Sequence, residues 1–348
     1  MCVASCLTQR MVSDLNSQKN DIIQVKNLKT FFYGKKKFLQ RERPVVKAVN
    51  DVSFSIRQGE TFGVVGESGC GKSTLGRTVI QLLKPTEGQV LYKGLDLSTL
   101  SADQMRDLRK EIQIIFQDPY ASLNPKMTVR ELIQGPLDVF SNDSRSDKLA
   151  KVRKIIAAVG LREADLRKYP HEFSGGQRQR IVIARALILN PEFIFCDEPV
   201  SALDVSVRAQ VLNLMKDIQA DLDLTYMFVS HDLSVVRFIC DRVAVMYLGK
   251  IVEIADKHAL FEEAKHPYTE ALLSAIPVPD VNVKRQRILL EGDLPSPYNP
   301  PSGCQFHNRC RYATKYCSVA EPALTQVDGE HYVACHRYSA PEKMKTVS

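Results

Sequence analysis

The chain has no uninterrupted apolar run that approaches the roughly 18–20 residues needed to cross a bilayer, so no membrane-spanning helix is expected. Residues Met1 to Asn20 are polar and lack a long hydrophobic core. They predict a flexible tail rather than a secretory signal, and a chain that stays in the cytoplasm. No internal repeat and no extended heptad run is evident, which excludes solenoids and long coiled coils. A strong charge of one sign is also missing. The 47 Lys and Arg against 40 Asp and Glu give +7 over 348 residues. That balance permits contact with an anionic membrane surface or nucleic acid but demands neither. A hydrophobic share of 44% and a charged share of 25% belong to an ordinary soluble protein of two domains, or one large domain with an appendage.

Cysteine, by contrast, is abundant for a chain expected in a reducing compartment, and the nine residues are unevenly placed. Cys2, Cys6, Cys70, Cys196 and Cys240 are scattered, whereas Cys304, Cys310, Cys317 and Cys335 fall in one short C-terminal region. Disulfides are disfavoured there, so the cluster points to metal. The spacing C-x5-C-x6-C-x17-C lacks the C-x2-C pairs of common zinc ribbons, and four thiolates suit a [4Fe–4S] cluster or structural zinc. His307, His331 and His336 lie nearby in sequence as substitute ligands, but each is expected to be a surface histidine.

The stretch Gly66-Glu67-Ser68-Gly69-Cys70-Gly71-Lys72-Ser73-Thr74 fits G-x-x-x-x-G-K-[ST]. The β-prone run Thr61–Val65 precedes it and a helical pattern from Leu75 to Leu83 follows. That setting presents free backbone N–H groups to polyphosphate at a helix N-terminus. The glycines allow close backbone approach, Lys72 supplies a cation for the β- and γ-phosphates, and the Ser73 hydroxyl is a Mg²⁺ ligand. Cys70, inside the loop, reads first as a small tolerated residue and second as a thiol that makes nucleotide binding sensitive to oxidation.

Around this loop the chain reads as α/β. Ile22–Val25 and Val52–Ile56 are expected strands, separated by a basic loop with Lys35-Lys36-Lys37, Arg41 and Arg43. Of Phe31, Phe32 and Tyr33 at the end of the first strand, one is a candidate to stack on a purine base, Phe32 being the choice; core packing is the competing reading. Gln89–Tyr92 and Ile112–Phe116 are further strands. From Val129 to about Ile188 the three-and-four spacing of residues such as Val152, Ile155, Ile156 and Val159 predicts a helical insertion. Phe193–Asp197 is a continuous apolar run of the kind buried on both faces of a parallel sheet. A helix from Val205 to Ala220 joins it to a second such strand, Thr225–Val229, and Val243–Tyr247 with Lys250–Glu253 form a hairpin about Gly249. Prolines at Pro277, Pro279, Pro295, Pro297, Pro300 and Pro301 mark a linker into a small C-terminal module.

Asp197 and Glu198 end a buried strand in a chain with a phosphate loop. Asp197 suits the Mg²⁺-anchoring role and Glu198 the acceptance of a proton from water attacking the γ-phosphate. Ser174-Gly175-Gly176-Gln177 opens the helix from Ile181 to Leu187, with Ser174 as N-cap and two glycines exposing N–H groups. One site needs only one phosphate loop, so this second anion-binding terminus is expected to serve a nucleotide held by another subunit.

Together with Gln117, Ser201-Ala202-Leu203-Asp204 and His231, these motifs resemble an ABC-type ATPase from about Ile22 to Glu253. Phe173, where Leu is commoner, keeps the position apolar. The resemblance implies a RecA-like core with an antiparallel β-subdomain and a helical subdomain of about residues 125–188. It also implies a head-to-tail dimer with ATP between one subunit's phosphate loop and the other's Ser174–Gln177. Gln117 would then sense Mg²⁺ and the attacking water, Asp204 would lie in the loop linking the two sites, and His231 would contact the γ-phosphate and the water.

Residues Gln117–Pro125, Glu198–Ser206, His266–Thr269 and Leu294–Pro297 with Gly303-Cys304 are similar to the F-type ATPases of oligopeptide and dipeptide permeases, and this similarity reaches about Tyr338. It implies a tail at 1–20, an ATPase domain at 21–255 and a four-cysteine module at 256–348. It implies two integral membrane permease subunits, a companion D-type ATPase and an extracytoplasmic peptide-binding protein. The chain would be peripheral on the cytoplasmic face of the inner membrane, with no direct contact with peptide or nucleic acid. The family's cysteine-rich modules are associated with an iron–sulfur cluster, which favours [4Fe–4S] over zinc; a module too small for its own core favours a structural over a redox role. A soluble ABC ATPase acting on nucleic acid or ribosomes is the alternative.

Overall fold

The computed structural model describes residues 21–34, 43–276, 288–290, 292 and 295–345. The expected tail 1–20, the basic residues Lys35–Lys37 and Arg41, and Pro277, Pro279 and Leu294 lie outside the described residues.

β1 (Asp21–Tyr33) and β2 (Val45–Arg57) pair antiparallel. Both run further than the expected Ile22–Val25 and Val52–Ile56. Asn27 takes φ 47° and Asp51 φ 60°, and the pairing register shifts between Val25 and Leu28. Such irregularities interrupt the period-two alternation by which a strand is read. β3 (Thr61–Val65) leads through the glycine-rich loop into α1 (Lys72–Val79). α1 stops at Val79 rather than Leu83 because Gln81 turns to φ 56°. The Leu82 N–H returns to the Arg77 carbonyl at 2.8 Å and Gln81 N–H to Thr78 at 3.0 Å. This double closure satisfies the last carbonyls of a helix. β4 (Glu87–Tyr92) and β5 (Leu95–Asp96) complete a four-stranded antiparallel sheet in the order β2-β1-β4-β5.

β6 (Ile112–Ile115) is followed by a helical region with α2 (Val129–Phe140), α3 (Arg145–Ala158) and α4 (Gly175–Leu187). The chain returns through β7 (Phe193–Asp197), α5 (Val205–Leu222) and β8 (Thr225–Val229) to the hairpin of β9 (Arg242–Tyr247) and β10 (Lys250–Asp256). Leu248 and Gly249, both at positive φ, form its two-residue turn. After α6 (Pro267–Ser274), β11 (Thr325–Asp328) and β12 (His331–Val333) bring the C-terminal segment back to β10. Among the described residues the second sheet thus has the order β11-β12-β10-β9-β3-β8-β7-β6. The pairs from β9 to β6 are parallel and those from β9 to β11 antiparallel.

Burial explains why β7 shows no alternation. Phe193 and Phe195 face the core shared with β1, β2 and α1, while Ile194 and Cys196 face the core shared with α4 and α5. A strand buried on both sides is apolar throughout. Because β3, β6, β7 and β8 are parallel, the residues just past their carboxyl ends gather on one rim. Among the described residues no helix is long and apolar enough to cross a membrane.

Candidate functional site

Two of the three glycines of Gly66–Thr74 are dictated by contact as well as by conformation. A Cβ on Gly66 would lie 2.1 Å from the Met246 carbonyl oxygen, and one on Gly71 2.0 Å from that of Ala48. Both have positive φ, and Gly71 caps α1 in the left-handed region. The Lys72 side chain is buried and folds back over the loop, its Nζ donating to the carbonyls of Gly66 at 2.9 Å and Glu67 at 3.0 Å. Cys70 is buried beneath it, and burial pushes its thiol above the usual range. That holds the proton on sulfur and weighs against an oxidation-sensitive thiol, since the thiolate is the reactive form.

Asp197, 1% exposed at the end of β7, accepts from Ser73 Oγ at 2.7 Å and from Arg77 at 3.0 Å. Two hard oxygen donors therefore stand together where Mg²⁺ was expected, a donor set that fits this ion. The next residue, Glu198, sits at φ 49°, a left-handed conformation that costs a non-glycine residue about 1–3 kcal/mol and needs support from its surroundings. Its Oε2 meets His231 Nδ1 at 2.9 Å and accepts from Gln117 Nε2 at 3.2 Å. Three strand ends, those of β6, β7 and β8, thus converge on one carboxylate.

Gln117, Glu198 and His231 line a cleft of about 660 Å³ together with Ser68–Thr74; Asp197 and Arg77 do not line it. Phe32, 44% exposed, lines this cleft, as do Gly249 and Pro297, rather than the core. Ser174, Gly175, Gly176, Gln177 and Asp204 do not line this cleft. Ser174 and Gln177 instead close a reciprocal cap, Gln177 N–H to Ser174 Oγ at 3.4 Å and Ser174 N–H to Gln177 Oε1 at 3.0 Å; both are exposed, while Gly175 is half-buried and Gly176 buried. Asp204 begins α5 on the exposed surface without a side-chain cap bond.

The four C-terminal cysteines line one small cavity of about 10 Å³, with His307 and His336. Backbone N–H groups two residues ahead donate toward three of the sulfurs: Phe306 to Cys304, Tyr312 to Cys310 and Arg337 to Cys335. Burial, and then the neighbouring cysteines, push Cys304 up to about 12 and Cys335 up to about 11, so without a cation these two sulfurs keep their protons. Among the described residues no group of three or more His, Cys, Asp or Glu closes to metal-holding spacing. The expectation of surface histidines is corrected for two of the three, His307 being half-buried. His331 and His336 are 5% and 4% exposed; His331 Nε2 meets Glu253 at 2.6 Å, and His336 Nε2–H donates to the Ala320 carbonyl at 2.9 Å. The other nitrogen of His336 is buried without a partner beside the cysteine cavity.

The family model described as ABC transporter matches residues 49–201, and that described as Oligopeptide/dipeptide transporter, C-terminal region, matches residues 252–317. The chain is 54% identical over 326 residues to the oligopeptide transport ATP-binding protein AppF of Bacillus subtilis, covering 93% of this chain and 99% of that one. It belongs to the oligopeptide-transport family of ABC ATPases. It is also 50% identical to the oligopeptide transport ATP-binding protein OppF of Haemophilus influenzae over 90% of this chain and 93% of that one. Among solved structures, a dimeric ATP-binding cassette in a post-hydrolysis state with ADP and Pi is similar at TM-score 0.60 and 28% identity, covering 68% of this chain and 98% of that chain. The fold is that of an ABC ATPase, with mixed and antiparallel sheets and helices.

Three contacts of this ABC ATPase escaped the sequence reading. Arg77 lies one helical turn beyond Ser73, so i,i+4 spacing was the signal for its place beside Asp197. Tyr268 Oη accepts from the Glu67 N–H at 2.8 Å, and Arg309 holds both oxygens of the Glu67 carboxylate. The last two pairs are 201 and 242 residues apart in sequence, and no local pattern announces them.

Proposed function

We propose that this ATPase hydrolyses ATP in the cleft above Gly66–Thr74 and thereby drives peptide import through two integral membrane permease subunits. The observation that carries the site assignment is the meeting of Gln117 and His231 on the Glu198 carboxylate, on the rim that also bears Lys72 and the Ser73–Asp197 pair. In this reading Lys72 and the loop N–H groups hold the phosphates, and Phe32 stacks on the base. Ser73 and Asp197 hold Mg²⁺, which supplies charge neutralisation on the β- and γ-phosphates. Gln117 and His231 orient the attacking water, and Glu198 takes its proton. Ser174–Gln177 and Asp204, which do not line the cleft of their own chain, serve the nucleotide across a head-to-tail interface with a companion D-type ATPase. Closure on ATP rocks the permeases, and hydrolysis resets them. Peptide is delivered by an extracytoplasmic binding protein and does not touch this chain, which sits peripherally on the cytoplasmic face of the inner membrane.

The reading includes a [4Fe–4S] cluster held by Cys304, Cys310, Cys317 and Cys335, with zinc as the alternative, in a structural role. What supports it is the soft four-sulfur donor set around one cavity, the N–H groups directed at three sulfurs and the unpartnered nitrogen of His336. Anaerobic purification of the intact membrane complex followed by iron, sulfide and zinc analysis tests the metal. For catalysis, single-turnover hydrolysis by Glu198→Gln in the assembled importer should fall about 10²–10⁴-fold with ATP still bound. Turnover at the native rate would remove Glu198 from the mechanism.

A further inference from the structure

One residue of the phosphate loop is held from three directions. The Glu67 carbonyl accepts from Lys72 Nζ at 3.0 Å, its N–H donates to Tyr268 Oη at 2.8 Å, and its carboxylate takes two bonds from the Arg309 guanidinium, at 2.9 and 3.1 Å. The first bond comes from the loop itself. The other two come from the C-terminal part of the chain: Tyr268 from the first turn of α6, Arg309 from the loop between Cys304 and Cys310.

Both outer groups are rigidly placed. Tyr268 is fully buried and packs against Tyr247 of β9 and Phe306, with ring centroids 4.7 and 5.4 Å away. α6 is capped by His266, whose ring nitrogen accepts from the Tyr268 N–H at 3.1 Å. Burial lowers this histidine to about 4, which leaves that nitrogen free to accept at neutral pH. The Arg309 side chain is 8% exposed and the Glu67 side chain 26%, and the paired carboxylate holds the guanidinium firmly charged. A two-bond guanidinium–carboxylate pair with one side largely desolvated fixes orientation as well as charge. An acidic side chain in a loop that receives polyphosphate would by itself repel the ligand. Here its charge is matched by the pair with Arg309.

We propose that Arg309 and Tyr268 are positioning residues through which the C-terminal segment sets the shape and charge of the phosphate-binding loop, so that nucleotide affinity depends on this segment's docking. The proposal rests on reading Gly66–Thr74 as the ATP site. Loss of Arg309 leaves a carboxylate unpaired within the loop that would hold the phosphates, and loss of the Tyr268 hydroxyl leaves the Glu67 N–H without its acceptor. Lys72 then loses the fixed carbonyl against which it is poised.

Titration of the full-length chain with a fluorescent ATP analogue, alongside kcat and KM in the assembled importer, tests this. Arg309→Met should raise the nucleotide Kd about tenfold, with KM rising more than kcat falls, and Arg309→Lys, which keeps the charge but not the fork, should recover part of the loss. Tyr268→Phe removes one oxygen and keeps the aromatic packing, so it carries the test even if Arg309→Met fails to fold; it should raise Kd about threefold. The decisive reading is Glu67→Gln combined with Arg309→Met, which should bind better than Arg309→Met alone because the uncompensated charge is gone. Single variants that bind as the native chain does, or a double variant whose loss is the product of the two single losses, would overturn the proposal. Lys72→Ala separates the two readings. Native binding by Lys72→Ala would sink the ATP-site assignment, whereas its loss beside native binding by Arg309→Met and Tyr268→Phe would sink only the positioning role.

Discussion

At the scale of single residues, the site is built from groups whose surroundings fix their state. Lys72 is buried against two carbonyls, and in the proposed reading its bonds to phosphate form in a largely desolvated place, where they are stronger than in water. Lys72→Ala should therefore weaken ATP binding roughly tenfold or more, read by equilibrium titration, with little change in thermal stability. Cys70 illustrates the opposite case. Its thiol is buried and its pKa raised by desolvation, the nearby Lys72 pulling it down only in part. Reaction requires thiolate, so iodoacetamide at neutral pH should leave Cys70 unmodified in the folded chain and label it once the chain is denatured, as mass spectrometry would show. Rapid labelling of the native protein would contradict the burial. Of the residues at the site, Lys72, Ser73, Asp197 and Glu198 were legible from motif spacing alone. Arg77 had a local signal in its i,i+4 spacing from Ser73, whereas Arg309 had none, because its partner lies 242 residues away and is set by the fold.

Elements align these residues. α1 must lie close to β7 for Ser73 to reach Asp197, and Gly76 makes the approach feasible. A Cβ there would fall 2.0 Å from the Phe195 ring, which is fully buried and has no room to yield. Gly76→Ala gains about 1 kcal/mol of helix propensity but must push helix from strand, at a cost of about 1–3 kcal/mol. The expected outcome is a less stable chain with weaker nucleotide binding, measured by denaturant unfolding and ATP titration; a more stable variant with native affinity would refute the packing account. The end of α1 shows why boundaries resist prediction. Leu82 and Leu83 extend the apolar pattern, yet the helix closes at Ile80 because Gln81 turns into the left-handed region, a place where glycine is the usual signal. β1 and β2 were read short for a related reason, since Asn27 and Asp51 carry the irregular backbone inside long strands.

At the scale of the whole molecule, Ser174–Gln177 at the start of α4 do not line the cleft above Gly66–Thr74. The reading of a two-subunit clamp therefore predicts that Glu198→Gln, given ATP and its ATPase partner, accumulates as a dimer that native protein forms only transiently. Light scattering or mass photometry at micromolar concentration would detect it, and a monomer under saturating ATP would count against the clamp. The C-terminal segment is bound into this design more tightly than a linker would suggest. β12 pairs with β10 of the main sheet, and Phe306 packs on Tyr247 and Tyr268.

Sequence by itself determined the phosphate loop, the buried carboxylate strand, the capped helix at Ser174 and the family, because each is a local pattern whose chemistry needs fixed residues at fixed spacing. Tertiary structure alone decided that Gln117, Glu198 and His231 meet on one carboxylate, that His331 and His336 are buried, and that Glu67 is gripped from beyond residue 260. Those facts depend on the parallel order of β3, β6, β7 and β8 and on the return of the C-terminal segment to the sheet. Contacts made across 200 residues of chain are selected by packing, and packing leaves no periodic trace in the sequence.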